Sequence, residues 1–118
     1  MSWPDGVLVV AEVSCNHCSS YATALKLVDT AAELGADAVK FQLYKPDSMT
    51  LDMDMPQFKV QSGPWKGRFL WDLYTETMTP WKWMFPLQAR AEEKGHKFIL
   101  SVYDTERLMW AENNLEDK

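Results

Sequence analysis

Positive charge is scarce in this chain. Twelve Lys and Arg stand against seventeen Asp and Glu, a formal charge of −5 over 118 residues. That balance excludes a broad electrostatic grip on nucleic acid or on an anionic membrane, since either needs a basic stripe. An anionic ligand must instead meet a local cluster of cations. Long apolar runs are missing too: residues 1–13 have no basic n-region, and their apolar run is broken by Glu12, too short for a signal peptide or a membrane span. The expectation is a cytoplasmic protein with no membrane and no nucleic-acid partner. Only two cysteines occur, Cys15 and Cys18. They would close a tiny loop, so a secreted disulfide scaffold is excluded and reduced thiols are expected. Low-complexity stretches and short repeats are also lacking.

What is present is an apolar share of 47% with 13% aromatics, the composition of one small core-forming domain. Residues 7–13 are apolar and rich in β-branched side chains, the pattern of a strand buried on both faces. Ser19 or Ser20 then caps a helix over 21–34, where Ala24, Leu27, Val28, Ala31 and Leu34 keep helical spacing and Gly35 stands at the C-cap. A second strand places Val39, Phe41 and Leu43 on one face and Lys40 and Gln42 on the other. Residues 44–69 hold no sustained period, and a loop of that length is expected to be functional or partly structured.

Helical character resumes over 70–77. Thr79-Pro80 reads as an N-cap followed by proline at the first helical position, and Pro86 as a kink or a restart before 87–94 and Gly95. A third strand is expected over 97–103 and a third helix over 105–114, capped by Asp104 or Thr105. Alternation of this kind gives an α/β fold with a parallel sheet built by crossovers. Three strand-helix units cannot close, and a full (β/α)8 TIM barrel takes about 250 residues. Residues 1–118 are therefore expected to be the N-terminal three units of such a barrel, leading toward a fourth strand.

In parallel sheets the ligand sits at the carboxyl ends of the strands. Glu12 ends the first strand, on the face of Leu8 and Val10; Lys40 and Gln42 end the second; Ser101 and Tyr103 end the third, on the face of Ile99, with Asp104 following. An acid, a lysine, an amide and a hydroxyl meet at these strand ends; the lysine with the amide or hydroxyl makes an anion clamp, and Glu12 with Lys40 reads either as a catalytic pair or as an inert salt bridge. Cys15-x-x-Cys18 supplies too few ligands for a structural zinc site, and incidental small residues are the preferred reading over a metal or redox module. Asn16 and His17 lie just past the strand end. For His17, proton transfer and loop-holding both remain open, and it is not read as a metal ligand. Lys82, Arg90, Glu92 and Glu93 have the look of solvated helix residues, and Trp65, Trp71, Trp81 and Trp83 of a cover over the barrel mouth or a dimer contact.

Four runs carry a family resemblance: "VVAEVSCNH" (9–17), "AAELGADAVKFQLYKPDSMTL" (31–51), "LYTETMTPWKW" (73–83) and "FILSVYD" (98–104). Together they resemble the sialic acid synthase family. Within it the "EVS-NH" run, the "YKPDSMTL" stretch and the "WKG" turn are more similar to pseudaminic acid synthases than to N-acetylneuraminate synthases, with N-acetylneuraminate or legionaminate synthesis as the alternative inside the family.

The resemblance implies a (β/α)8 enzyme condensing phosphoenolpyruvate with an N-acetylated amino sugar to give a nine-carbon acid and phosphate. It implies a divalent metal, Mn or Mg, whose ligands are not in this chain, and a homodimer in the full-length form. By position, Glu12 matches the family's active-site glutamate, Lys40 its phosphoenolpyruvate-binding lysine, and Gln42 the amide two residues on. His17 and Asn16 match its "NH". Ser101, Tyr103 and Asp104 fall in its "S-[ST]-P-F-D" motif, where Tyr103 replaces Phe and Leu100 and Val102 replace the usual Ser and Pro. The remaining barrel and an antifreeze-like C-terminal domain would lie downstream, so these 118 residues alone are expected to be inactive. The rival from another class is a short non-catalytic protein that associates through its sheet edges and aromatic loop.

Overall fold

Helix boundaries in this chain are set by local chemistry. In the computed structural model, which describes residues 5–115, Ser20 caps helix α1 (Tyr21–Glu33) by accepting from the Thr23 backbone N–H at 3.2 Å. The helix ends in a Schellman turn, with the N–H groups of Gly35 and Ala36 donating to the carbonyls of Ala32 and Ala31, both at 3.0 Å. Gly35 sits at φ +81°, which a side chain would oppose. Helix α4 (Met84–Glu93) closes the same way through Gly95 and His96 onto Glu92 and Ala91. Each turn feeds a strand, so the chain repeats one helix-to-strand connection.

Three strands result: β1 (Val10–Ser14), β2 (Ala38–Leu43) and β3 (Lys97–Val102), parallel and in the order β1-β2-β3. Helices α1 and α4 pack on the same side of this sheet. Val13, Val39 and Phe41 meet Ala24, Val28, Leu87 and Ala91 in the core, with Phe98 and Leu100 packed at its edge. Phe41 is fully buried and stacks on Phe98 at 5.8 Å. A bidentate bridge joins the two helices, Arg90 Nε and Nη2 donating to Asp29 Oδ1 and Oδ2 at 2.6 and 2.9 Å. Those hydrogen bonds hold the Asp29 carboxyl below its ordinary range. Arg90, read from sequence as merely solvated, is thus a strut between helices.

The first strand differs from expectation. It starts at Val10, and Val7 and Val9 are 89% and 54% exposed. Residue 9 is held outside the strand by Asp37, whose carboxylate accepts the Val9 N–H and whose own N–H donates to the Val9 carbonyl, both at 2.8 Å. Nor is the strand buried on both faces, because the described helices cover only one.

The long segment after β2 is partly structured, as expected. It contains helix α2 (Pro46–Met49), a 3-10 turn at Pro56–Phe58 and an antiparallel bridge between Lys59 and Phe69 that leads into helix α3 (Leu70–Thr77). Thr79-Pro80 does not open α4. A 3-10 turn, Trp81–Trp83, intervenes, and α4 begins at Met84 with Pro86 in its first turn. There the missing N–H costs nothing, since the first four helical donors have no partner within the helix. Helix α5 (Thr105–Asn114) follows β3. The expected lead into a fourth strand lies outside the described residues.

Replacing Phe41 by Ala should lower the unfolding free energy by about 3–5 kcal/mol through loss of buried area and the cavity left behind. Gly35→Ala should cost about 1–2 kcal/mol, the price of a left-handed non-glycine residue. Urea unfolding of the two variants checks both values and their order.

Candidate functional site

Because side chains alternate along a strand, packing Val13, Val39 and Phe41 on the helices sends their neighbours to the opposite face. The parallel register then sets Glu12 beside Lys40, Lys40 beside Ile99, and Gln42 beside Ser101. Glu12 Oε2 and Lys40 Nζ are 2.8 Å apart, with side chains 41% and 32% exposed. The hydrogen bond and charge of Glu12, aided by Tyr103, raise the Lys40 pKa, so its ammonium is firmly cationic. Both readings of this pair start from the same contact. At this exposure the ion pair adds little to stability, and the charges stay open to a ligand.

A bulge follows Glu12. The register shifts between Glu12 and Ser14, and Ser14 adopts φ +57°. The strained residue turns the chain out of the sheet directly after the carboxylate. Asn16 then closes a turn by donating its N–H to the Val13 carbonyl at 2.9 Å, and it is exposed.

His17 behaves differently. It is fully buried, lies edge-on to Trp83 at 5.2 Å, and has both ring nitrogens engaged. The Ser19 N–H donates to Nδ1 at 3.2 Å, which makes Nε2 the protonated nitrogen and donor to Thr79 Oγ1 at 2.8 Å. Burial lowers the His17 pKa. Of the two roles open in the sequence, loop-holding is the one this geometry supports. Thr79, read from sequence as a helix cap, is the partner that anchors it.

Tyr103, 38% exposed, stands at the end of β3 with its ring edge-on to Tyr44 at 5.8 Å. Asp104 is engaged elsewhere: Oδ1 accepts the Arg107 N–H at 2.8 Å as the cap of α5, and Oδ2 lies 3.0 Å from Arg107 Nη1. Burial alone would raise its pKa, but the Arg107 hydrogen bonds and charge, with Ser48, outweigh that and lower it. Of the residues singled out in the sequence, Glu12, Lys40, Gln42 and Ser101 come together, Tyr103 borders them, and Asp104 and His17 support the loops.

Tyr44 was not anticipated. It follows the last residue of β2 and is 2% exposed. Thr77 Oγ1 donates to the Leu73 carbonyl at 2.9 Å, so the Tyr44 hydroxyl, 2.7 Å away, donates to Thr77. Burial pushes the Tyr44 phenol well above its ordinary pKa. The signal was present as an aromatic directly after a strand, but its partner lies 33 residues on. Cys15 and Cys18 are free thiols. No cluster of three or more His, Cys, Asp or Glu able to hold a metal occurs among the described residues, so the donor set here does not fit a divalent ion. No helix among the described residues is long and apolar enough to cross a membrane.

Comparison with known proteins follows the same line. Residues 27–116 match the NeuB family. A pseudaminic acid synthase of Campylobacter jejuni is 40% identical over 89 residues, 75% of this chain and 26% of that protein. The chain thus spans about a quarter of the curated relatives it matches. Among solved structures, an N-acetylneuraminic acid synthetase of Leptospira borgpetersenii superposes with a TM-score of 0.72 at 22% identity, over 92% of this chain and 33% of the other. The Bacillus subtilis spore coat polysaccharide biosynthesis protein SpsE gives 0.64 at 31% identity, over 93% and 28%. The three parallel strands alternating with helices match the N-terminal portion of TIM-barrel structures of this kind.

The buried His17 carries a pH dependence. Its folded pKa lies below the ordinary 6.5, so as pH falls below that value the unfolded chain binds the proton first and stability is lost until the depressed folded pKa is reached. Urea midpoints should therefore drop between pH 7.5 and 5. A His17→Gln variant should lose that part of the slope.

Proposed function

The chain belongs to the NeuB family, and from that premise we propose that residues 1–118 are the N-terminal portion of a TIM-barrel synthase of the pseudaminic acid type. It would condense phosphoenolpyruvate with an N-acetylated amino sugar to give a nine-carbon acid and phosphate. A cytoplasmic location and a homodimer of the complete protein belong to the same reading. The observation that carries it is the Glu12–Lys40 pair at 2.8 Å, half-exposed at the strand ends, with Gln42 and Ser101 in adjacent register.

Phosphoenolpyruvate brings a carboxylate and a phosphate, and Lys40 is a cation of fixed position for either. The Ser101 hydroxyl and the Gln42 amide supply neutral donors on the same face, one strand spacing apart. In the reaction the methylene carbon (C3) of phosphoenolpyruvate attacks the aldehyde carbon of the open-chain sugar, forming the new carbon–carbon bond while the aldehyde oxygen takes up a proton. Positive charge develops at C2, which bears the phosphate ester; water adds there and loses a proton, and C2 collapses to a ketone as phosphate leaves with cleavage of the C2–O bond. Glu12 is suited to stabilise that charge once the arriving anion competes for Lys40. The family's divalent metal, which polarises the aldehyde oxygen when bound, would draw its ligands from outside the described residues.

In the complete synthase, Lys40→Ala should raise the KM for phosphoenolpyruvate about 10- to 100-fold, the loss of a charge-assisted hydrogen bond. Glu12→Ala should lower kcat about a hundredfold or more while changing KM little. Steady-state kinetics decides, and wild-type constants for both variants would refute the assignment.

A further inference from the structure

Cys15 and Cys18 carry the only thiols of the chain, and their spacing alone favours reading them as incidental. The fold adds what spacing lacks. Both residues line one cavity of 300 Å³, together with Asn16, Ser19, Glu76 and Thr77. Neither belongs to the buried core: Cys15 is half-buried and Cys18 is exposed. The Cys18 Sγ lies back over the turn that separates the two, 3.9 Å from the Asn16 carbonyl oxygen. A disulfide needs Cα atoms within about 7 Å of each other, and four residues of turn backbone keep their ends inside that distance. Residues 15–19 are all turn.

That turn is held by its surroundings and needs no sulfur bond to persist. The Asn16 N–H donates to the Val13 carbonyl and the Ser20 N–H to the His17 carbonyl, both at 2.9 Å. His17 Nε2 donates to Thr79 Oγ1, and the Ser19 hydroxyl to the Glu76 carbonyl. Cys18 and Ser19 sit at φ +51° and +54°, a left-handed pair that doubles the chain back before α1. The polar groups opposite are spent. Thr77 Oγ1 donates to the Leu73 carbonyl and accepts from Tyr44, and Glu76 Oε2 pairs with Arg68 Nη2 at 2.6 Å. The two thiols are therefore the reactive groups of this cavity, on a backbone already turned between them.

From these observations we propose that Cys15 and Cys18 are a modification site, a dithiol that a peroxide-class oxidant converts reversibly to a disulfide. The exposed Cys18 reacts first. Its sulfur attacks one peroxide oxygen, the O–O bond breaks, and a sulfenic acid forms while the other oxygen leaves as water or an alcohol with the thiol proton. The Cys15 sulfur then attacks the Cys18 sulfur: the S–S bond forms, the S–O bond breaks, and the hydroxyl leaves as water with the Cys15 proton. Two electrons pass from the sulfurs to the peroxide. Two thiols of a small reductant such as glutathione reverse the change by exchange. The closed ring encloses Asn16 and His17 and begins directly after Ser14, the bulge behind Glu12. Oxidation would thus stiffen the loop at that strand end, whatever reaction runs there.

The test is hydrogen peroxide treatment of the 118-residue chain, followed by alkylation with N-ethylmaleimide and mass spectrometry. One intramolecular disulfide should form, read as a loss of about 2 Da with both cysteines protected from the reagent, and reduced glutathione should return both thiols. Closure should be about tenfold faster in the native chain than in concentrated urea, because the fold holds the turn. Cys15→Ser should instead accumulate the Cys18 sulfenic acid, trapped as its dimedone adduct, and Cys18→Ser should resist peroxide. Two alkylated cysteines, a Cys18 sulfinic acid beside an alkylated Cys15, disulfides only between chains, or equal closure rates in the native and unfolded chain would each overturn the assignment.

Discussion

Everything at the strand ends depends on which side of the sheet faces the helices. Val13, Val39 and Phe41 are buried against α1 and α4, and the two-residue period of a strand leaves their neighbours no choice of side. Glu12, Lys40, Gln42 and Ser101 therefore share the other face. A slip of one residue in β2 would bury Lys40 among the helices and expose Phe41, at a cost no small domain could absorb. The helix pair is itself locked by the Arg90–Asp29 bridge, so the packing that makes the core also orients the polar cluster.

Around that cluster the loops are cross-tied by polar contacts. His17 binds the loop after β1 to Thr79, ahead of α4. The Ser19 hydroxyl donates to the Glu76 carbonyl of α3. Tyr44 joins the end of β2 to Thr77. On the far side, Trp81 is flanked by Lys45 and Arg107 at 4.8 and 4.9 Å from its ring and packs against Trp110. These contacts hold a strained stretch, with Ser14, Cys18 and Ser19 all at positive φ. Strain of this sort persists only where its surroundings over-determine the backbone, and here it directs the chain away from Glu12.

The helices were legible because their signals are local. The Ser20 cap, the Asp104 cap and the glycines at 35 and 95 each act within a few residues, and the alternation in β2 followed directly from its letters. Glu12 and Lys40 were legible as strand-end residues for the same reason. Misreadings arose where a distant partner outweighed a local preference. Val9 belongs to Asp37 rather than to a strand. Thr79 serves His17 instead of a helix. Arg90 reaches across to α1.

The sequence by itself determined the order of the three strands and of the helices α1 and α5 that follow β1 and β3, the buried face of β2, and the presence of an acid, a lysine, an amide and a hydroxyl at strand ends, because periodicity and capping are properties of neighbouring residues. Only the tertiary structure decided that Glu12 and Lys40 touch, that His17 bonds to Thr79, and that Tyr44 bonds to Thr77. Those outcomes depend on contacts between residues 28 to 62 positions apart. Chain spacing carries no record of such contacts until the sheet register and the helix packing bring the partners together.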